Sequence, residues 1–279
     1  TTNNVKKLYD VLDIFAARLI RQEYTSWYHE QDRLIRLSAI TAVEGCQAAE
    51  QYIAGNLEYD GIRRIAIRHA VESVDFDLAE KLCIDKIATI TYGYHWTRAW
   101  YNLLFDVYVK CGNKEKQAAL AEDLLYNQHD DHYYAILKAL LMEKGVWITR
   151  YSSILDRLSQ CLPCNAYMYI LSQENERDRL LGELKMHPDL VFNYGAQLSE
   201  HYPSDVYSIC MSEIRKQATE ANNRVLYKHI CSSIKLLVEF GARSEADVVI
   251  NELKSRYPRR PAMLEELDIL AMKLAKQRK

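Results

Sequence analysis

Glycine, proline and long apolar runs are all scarce in this sequence. Its 279 residues include nine glycines and five prolines, whereas a β-sandwich or barrel needs many such turn residues. No window reaches the roughly 18 apolar residues that a membrane span requires. The N-terminal residues also lack the apolar core of a signal peptide. These absences favour a helical protein that has no membrane partner.

The sequence has no excess charge of either sign. Lys and Arg number 36 against 38 Asp and Glu, which gives a formal charge of -2 and no global attraction to nucleic acid or anionic lipid. Its seven cysteines are an odd number and are scattered. We interpret five of them as buried free thiols and therefore expect a cytoplasmic protein; these are Cys46, Cys83, Cys111, Cys210 and Cys231.

The signature motifs of common enzyme classes are also missing. There is no Gly-x-Gly phosphate loop, no His-Glu-x-x-His, no Gly-x-Ser-x-Gly and no kinase signature. We therefore predict no enzyme and no cofactor. The enzymatic alternative would need titratable residues such as His129, Asp131 and His132 to converge in a pocket.

Helical periodicity, by contrast, runs along almost the whole chain. Two long helices are predicted first. One runs from Asn4 up to about residue 28, and the second contains Leu34, Leu37, Ile40 and Val43 and extends up to residue 54. Shorter helices follow, predicted at 62–73, 76–90, 96–111, 114–127, 131–144, 147–159, 165–175, 177–186, 189–201, 205–221, 223–239, 243–256 and 261–275.

Three successive helix pairs are predicted to start near residues 62, 96 and 131. The steps of 34 and 35 residues match the period of tetratricopeptide-like helical hairpins. We therefore predict an all-α fold, an α-α superhelix of stacked antiparallel helix pairs. It would form one continuous body over residues 1–279, divisible into sub-lobes 1–160 and 164–279. A plain helical bundle is the alternative.

Several segments of the second half carry a family resemblance. They are residues 134–145 (YAILKALLMEKG), 187–188 (HP), 202–203 (YP), 224–228 (RVLYK) and 252–267 (ELKSRYPRRPAMLEEL). Together they resemble the helical region that follows the zinc finger in bacterial SWIM zinc-finger proteins, over about residues 130–270. The resemblance implies a role in binding protein or nucleic acid.

The finger itself is absent from this sequence. The zinc motif of that family is Cys-x-Cys followed by Cys-x-His, and no Cys-x-Cys occurs here. Because the chain also begins with Thr1 rather than Met, we expect a processed chain or an excised C-terminal part of a longer protein. The resemblance therefore transfers no zinc ligand and no catalytic residue.

Two local motifs are compatible with metal chemistry. Cys161-Leu162-Pro163-Cys164 has the spacing of a zinc or dithiol motif, but no second Cys-x-x-Cys exists to complete four ligands. Because the nearest histidines, His132 and His187, lie more than twenty residues away, we predict that this pair binds no metal.

The second motif is Gln128-His129-Asp130-Asp131-His132, which falls on a predicted turn between two helices. Its histidines and carboxylates could ligate a metal or transfer protons. However, Asp130 or Asp131 is also a natural N-cap for the next helix, and we favour that interpretation.

Aromatic and basic residues supply the candidate binding surface. Tyr94, Trp96, Trp100 and Tyr101 crowd one helix start. They are either core residues or part of a concave face that binds a peptide, or that stacks bases if basic residues interleave. The second cluster combines basic and aromatic side chains, namely Arg256, Tyr257, Arg259 and Arg260. This cluster is either a solvated helix end or a phosphate contact.

From this sequence we expect a non-catalytic interaction module that docks a protein partner. The helical repeat, the near-neutral charge and the missing catalytic motifs motivate that expectation. The alternative is a nucleic-acid-binding accessory module that acts together with the missing zinc finger.

Overall fold

The described part of the chain is entirely helical and loop. This computed structural model describes residues 6–7, 9–14, 25–91 and 93–276, and no strand occurs within these ranges. The predicted all-α fold class is therefore confirmed, whereas the tetratricopeptide-like detail stays a prediction. In the same ranges, no helix combines the length and the apolar character needed to cross a bilayer.

The chain divides into two compact units, Thr1–Ile154 and Leu155–Lys279. The prediction of one continuous body is not decided by this division and stays a prediction. Residues 6–7 and 9–14 of the first unit are helical. The helices that follow in this unit are α1 (Thr25–Val43), α2 (Cys46–Ala54), α3 (Asp60–Glu72), α4 (Phe76–Thr89), α5 (Tyr94–Lys110), α6 (Lys114–Tyr126) and α7 (Tyr133–Glu143). Helix α8 (Trp147–Cys161) contains the boundary between the units.

The second unit continues with shorter and then longer helices. They are α9 (Cys164–Gln173), α10 (Arg177–Met186), a 3-10 turn (Pro188–Leu190), α11 (Val191–Ser199), α12 (Pro203–Glu220), α13 (Arg224–Glu239), α14 (Arg243–Arg256) and α15 (Pro261–Lys276).

Local sequence explains the sharp hairpin between α5 and α6. Gly112 has a positive φ of 69°, a left-handed conformation that lacks a steric penalty only for glycine. The side chain of Asn113 then accepts a hydrogen bond from the backbone N–H of Lys116 at 2.9 Å. This cap satisfies one of the free N–H groups at the start of α6.

Most of the described helices pack on their neighbours in sequence. In the second unit, α12 also contacts α14 and α13 contacts α15, so alternate helices meet, as in a stacked array of hairpins. The second unit buries Leu180, Leu184, Val206, Ile214 and Leu237 completely. Each such side chain stabilises the fold by about 1.5–3 kcal/mol relative to exposure.

The predicted long second helix is wrong. The apolar period does continue to residue 54, but α1 ends at Val43 and α2 begins at Cys46. Gly45 between them has a φ of 88°, which no right-handed helix contains. The predicted end of the first helix at residue 28 is also wrong, because α1 already begins at Thr25. The predicted cap at Asn4 lies outside the described residues.

The regular spacing of the helix pairs is only partly kept. Their first helices, α3, α5 and α7, begin at Asp60, Tyr94 and Tyr133. The first step is 34 residues, as predicted, but the second is 39, because a turn over residues 127–132 delays the start of α7.

Burial of the cysteines differs from expectation at three of the five positions, because Cys46 is exposed and Cys111 and Cys231 are only partly buried. Cys83 and Cys210 are buried, and burial raises the pKa of each thiol to about 12. Cys46 is exposed, because it starts the short helix α2 that the sequence pattern merged into a longer one. All seven thiols are free of disulfides.

Candidate functional site

A groove of about 820 Å³ lies along α6, α7 and the first turn of α8. Its floor is apolar and consists of small and aliphatic side chains, namely Ala118, Ala119, Leu140, Leu141 and Val146. Leu141 is buried, whereas Ala119 is exposed to solvent. The volume lies within the range of ordinary ligand clefts, so the groove can hold a side chain or a short peptide segment.

The turn between α7 and α8 gives this groove its shape. Gly145 has a φ of 74° and stops α7, and α8 then begins at Trp147. Trp147 is buried, with ring centroids 6.1 Å from Tyr134 and 5.2 Å from Tyr151. This aromatic contact fixes α8 against α7 and so holds Val146 at the floor of the groove.

Paired charges of both signs surround the apolar floor. The ammonium of Lys114 lies 3.3 Å from the Glu143 carboxylate, and the ammonium of Lys144 lies 3.5 Å from Glu115. All four side chains are largely exposed, and such pairs contribute little to stability. They can therefore exchange their partners for the charges of a bound peptide at a small cost in free energy.

A third pair in the groove lining is less exposed than the other two. Nη1 of Arg150 donates to Oε1 of Glu122 at 2.6 Å, and this hydrogen bond raises the pKa of Arg150 above its ordinary value. The guanidinium presents further N–H donors, which a carboxylate or carbonyl of a bound chain can accept.

The four sequence-predicted aromatic residues do not share one surface. Trp100 is only 2% exposed, and the guanidinium of Arg64 covers its ring at 4.4 Å from the centroid. Its indole is therefore already covered by this chain. Tyr94 and Tyr101 are half-buried with ring centroids 5.9 Å apart. Trp96 is 66% exposed and is the one of the four that offers a large apolar surface.

The hydroxyl of Tyr94 is used within the fold. It donates to Oδ2 of Asp130 at 2.7 Å, and Nε of Arg98 lies 3.1 Å from the same oxygen. Burial and the negative charge of Asp130 together raise the pKa of Tyr94. The sequence did not predict this hydrogen bond between α5 and the loop before α7, because residues 94 and 130 come together only when the hairpins pack.

The polar turn at residues 128–132 is mainly structural. Asp130 is buried, and its other oxygen accepts the backbone N–H of His132 at 3.3 Å. Asp130 therefore organises the turn before α7, although the N-cap position itself falls on His132 and has no side-chain cap. Within the described residues, His129, Asp131 and His132 are not brought together as a metal-ligating group.

The predicted basic cluster divides into engaged and exposed residues. Nη1 of Arg260 donates to the backbone oxygens of Ala218 at 2.7 Å and Ala221 at 2.9 Å. Its guanidinium also lies 4.3 Å from the centroid of the Tyr257 ring. Arg260 therefore caps the C-terminal end of α12. Arg256 and Arg259, by contrast, are exposed.

The two cysteines of the Cys-x-x-Cys motif have different surroundings. Sγ of Cys161 faces the backbone oxygen of Leu158 at 3.9 Å. Cys164 instead meets Glu183 and His187, whose ligand atoms and Sγ all lie within 4.8 Å of one another. Burial raises the pKa of the Cys164 thiol, and the charges of Glu183 and Asp189 raise it further.

This three-residue group was missed from the sequence, although a signal for it exists. Glu183 and His187 are four residues apart, a spacing that puts them on one face of a helix. Helices α9 and α10 contact each other across a short turn. Since the first residue of such a hairpin faces the end of its second helix, Cys164 could have been placed beside His187.

Two smaller cavities contain titratable side chains. One of about 460 Å³ lies among α1, α2 and α3 and contains Cys46, Glu50 and His69; Nδ1 of His69 lies 2.9 Å from Oε1 of Glu50. The other, of about 380 Å³, lies between α13 and α15 and is lined in part by Lys228, Lys235 and Lys273.

Comparisons with known proteins give no relative for this chain. No protein-family model matches it. Neither the curated proteins nor the solved structures contain a significant match.

Proposed function

We propose that this protein is a non-catalytic interaction module that docks a segment of a protein partner in the groove along α6, α7 and α8. The single observation that carries the proposal is the groove of about 820 Å³ with an apolar floor inside a ring of paired charges. An apolar centre within a polar rim is the general plan of a protein interface. The helical hairpins supply a rigid frame for such a surface.

The chemistry of the groove suits an amphipathic peptide. The small side chains of Ala118 and Ala119 leave room for a bulky aliphatic or aromatic anchor from the partner. Around that anchor, Lys114, Lys144 and Glu115 can pair with partner charges of the opposite sign. We therefore propose an amphipathic helix with one apolar stripe as the occupant, flanked by charged residues of both signs.

The test is affinity capture with matched variants of the full chain. Ala119→Arg fills the groove, whereas Ala135→Arg adds the same side chain at an exposed position of α7 outside the groove lining. We expect the wild type and Ala135→Arg to retain the same partner. Ala119→Arg should lower its recovery about tenfold or more, which corresponds to a loss of about 1.4 kcal/mol. Equal recovery by all three proteins would contradict the proposal.

The family and the compartment form part of the same proposal. The segments quoted above support placement in the C-terminal helical region of a bacterial SWIM zinc-finger protein, which would act through protein contacts. The seven disulfide-free thiols support a reducing, cytoplasmic location.

Nucleic-acid binding is the less favoured alternative. Arg256 and Arg259 are exposed, and within the described residues neither has a carboxylate partner. The neighbouring basic side chains are engaged, Arg260 with backbone oxygens and Arg224 with Glu265 and Glu266. Two exposed cations in this cluster are few against the 6–10 or so phosphate contacts of a strong binder.

A further inference from the structure

Three side chains with different metal-binding atoms meet where α9 begins and α10 ends. Cys164 is the first residue of α9, Glu183 lies in the last turn of α10, and His187 directly follows that helix. The backbone N–H of His187 donates to the oxygen of Glu183 at 2.9 Å, so the helical turn extends to His187. Both side chains therefore lie on one face of the turn, facing the start of α9.

The spacing of these side chains is close to that of a coordination shell. The thiol sulfur, a carboxylate oxygen and an imidazole nitrogen all lie within 4.8 Å of one another. In a tetrahedral zinc site the ligand atoms are about 3.3–3.6 Å apart, because the bonds to zinc are about 2.0–2.3 Å long. Small side-chain rotations close that difference, since the three residues already point into one space.

Two of the three side chains have no other polar partner in the part of the chain that the structure describes. All three residues are half-buried. Among the residues that the structure describes, neither the Glu183 carboxylate nor the His187 imidazole takes part in a hydrogen bond or an ion pair. The Glu183 carboxylate and the His187 imidazole are therefore available to bind a cation, which would join all three side chains.

Charge and donor type indicate which cation fits. One thiolate and one carboxylate neutralise a divalent ion, and the imidazole binds in its neutral form. Calcium and magnesium prefer shells made entirely of oxygen, whereas a thiolate together with an imidazole suits zinc. Asp189, whose charge also acts on Cys164, adds further negative potential beside the group.

We propose that Cys164, Glu183 and His187 form a zinc site with water as the fourth ligand. When zinc binds, the Cys164 thiol loses its proton to the solvent and the sulfur forms a bond to the metal. The metal would join the start of α9 to the end of α10. This proposal is independent of the groove in the first unit, and it replaces the sequence-based expectation that the Cys-x-x-Cys motif binds no metal.

Cobalt substitution in the full-length chain tests the site directly. Bound to a thiolate in a tetrahedral shell, Co²⁺ gives a sulfur-to-cobalt charge-transfer band in the near ultraviolet and visible d–d bands. We expect one Co²⁺ per chain by titration, displaced by one equivalent of Zn²⁺. Added Zn²⁺ should also raise the melting temperature of the wild type.

Matched variants decide which residues hold the metal. Cys164→Ser and His187→Ala should each weaken Zn²⁺ binding at least tenfold and remove or alter the charge-transfer band. Cys161→Ser should leave both unchanged. Far-ultraviolet circular dichroism verifies folding; if Cys164→Ser fails to fold, Glu183→Gln takes its place. The proposal is overturned if the wild type binds no stoichiometric metal, or if the Cys161 and Cys164 variants lose it equally.

Discussion

At the scale of single residues, two helical glycines have opposite surroundings. Gly195 is buried in α11, and a Cβ placed on it would lie 2.5 Å from Cε2 of Phe240 and 3.0 Å from Cδ2. Gly182 is exposed in α10, and nothing lies within 4 Å of the corresponding position. The same substitution should therefore change stability in opposite directions at these two sites.

We expect Gly195→Ala to destabilise the protein by about 1–2 kcal/mol. The overpacking against the buried Phe240 ring costs about 1–3 kcal/mol, which outweighs the gain of about 0.5–1 kcal/mol from removing a helical glycine. Gly182→Ala, which has only that gain, should stabilise by about 0.5–1 kcal/mol. Urea unfolding measures both values. A Gly195→Ala variant that is more stable than the wild type would contradict the prediction, because it would show that the Phe240 ring moves aside at little cost.

Arg260 and Arg259 are adjacent arginines with different roles. Arg260→Ala should destabilise by about 1–3 kcal/mol, because it leaves the backbone oxygens of Ala218 and Ala221 without their donor. Arg259→Ala, at an exposed position, should change stability by less than about 0.5 kcal/mol. The comparison needs only urea unfolding of both variants. Equal effects would mean that the contacts of Arg260 contribute nothing to stability.

These two arginines also mark what the sequence could not reveal. The pattern Arg256-Tyr257-Pro258-Arg259-Arg260 identifies a basic cluster, but not which guanidinium turns inward. That depends on where α12 ends relative to the turn before α15, and residues 218 and 260 are far apart in the chain. Trp96 and Trp100 differ for a related reason: they are four residues apart, yet Arg64 from α3 covers only Trp100.

At the scale of secondary-structure elements, one carboxylate joins three helices. Glu80 in α4 accepts a hydrogen bond from the hydroxyl of Tyr108 in α5 at 2.8 Å. It also accepts one from the ammonium of Lys116 in α6. Burial alone would raise the pKa of Glu80, but these two hydrogen bonds outweigh it and lower the pKa below its ordinary value. The ionised form is therefore the one that the folded state favours.

The pH dependence follows from the lowered pKa of Glu80. A lowered folded-state pKa means that the stabilisation is present above the unfolded value, about 4.3, and is lost as the pH falls through the folded value. Glu80→Gln should therefore be less stable than the wild type by about 1 kcal/mol at pH 7. The difference should shrink once the pH falls below about 4.

Urea unfolding of Glu80→Gln at both pH values checks this prediction. Asp85→Asn, an exposed position in the same helix, serves as the control for removing a negative charge. If the deficit of Glu80→Gln stayed the same at low pH, it would have to come from packing rather than from ionisation.

Helix boundaries were largely predictable from the sequence, because proline, glycine and capping residues mark them. Helices α10 and α14 begin and end where predicted, and α15 extends only one residue further, to Lys276. The boundary between α1 and α2 was missed, because the apolar spacing continues through Gly45 although the backbone turns there. The groove was not predicted, because Ala118, Leu140 and Val146 come from three helices and only tertiary packing brings them together.

At the scale of the whole molecule, the chain comprises two compact units with separate proposed roles. The first unit contains the groove along α6, α7 and α8. The second contains the group formed by Cys164, Glu183 and His187. Substitutions in one proposed site should therefore leave the other intact. The Ala119→Arg variant should still bind Zn²⁺, and the Cys164→Ser variant should still retain the protein partner.

The central claim is that a protein partner occupies the groove, and site-specific photo-crosslinking tests it most directly. A photoreactive phenylalanine analogue placed at position 119 should crosslink to one defined protein in cells. The same analogue at position 135, outside the groove lining, should not. Charge reversal at Lys114 and Lys144 should reduce the crosslink at position 119. A crosslink of equal yield at both positions, or none at position 119, would contradict the account.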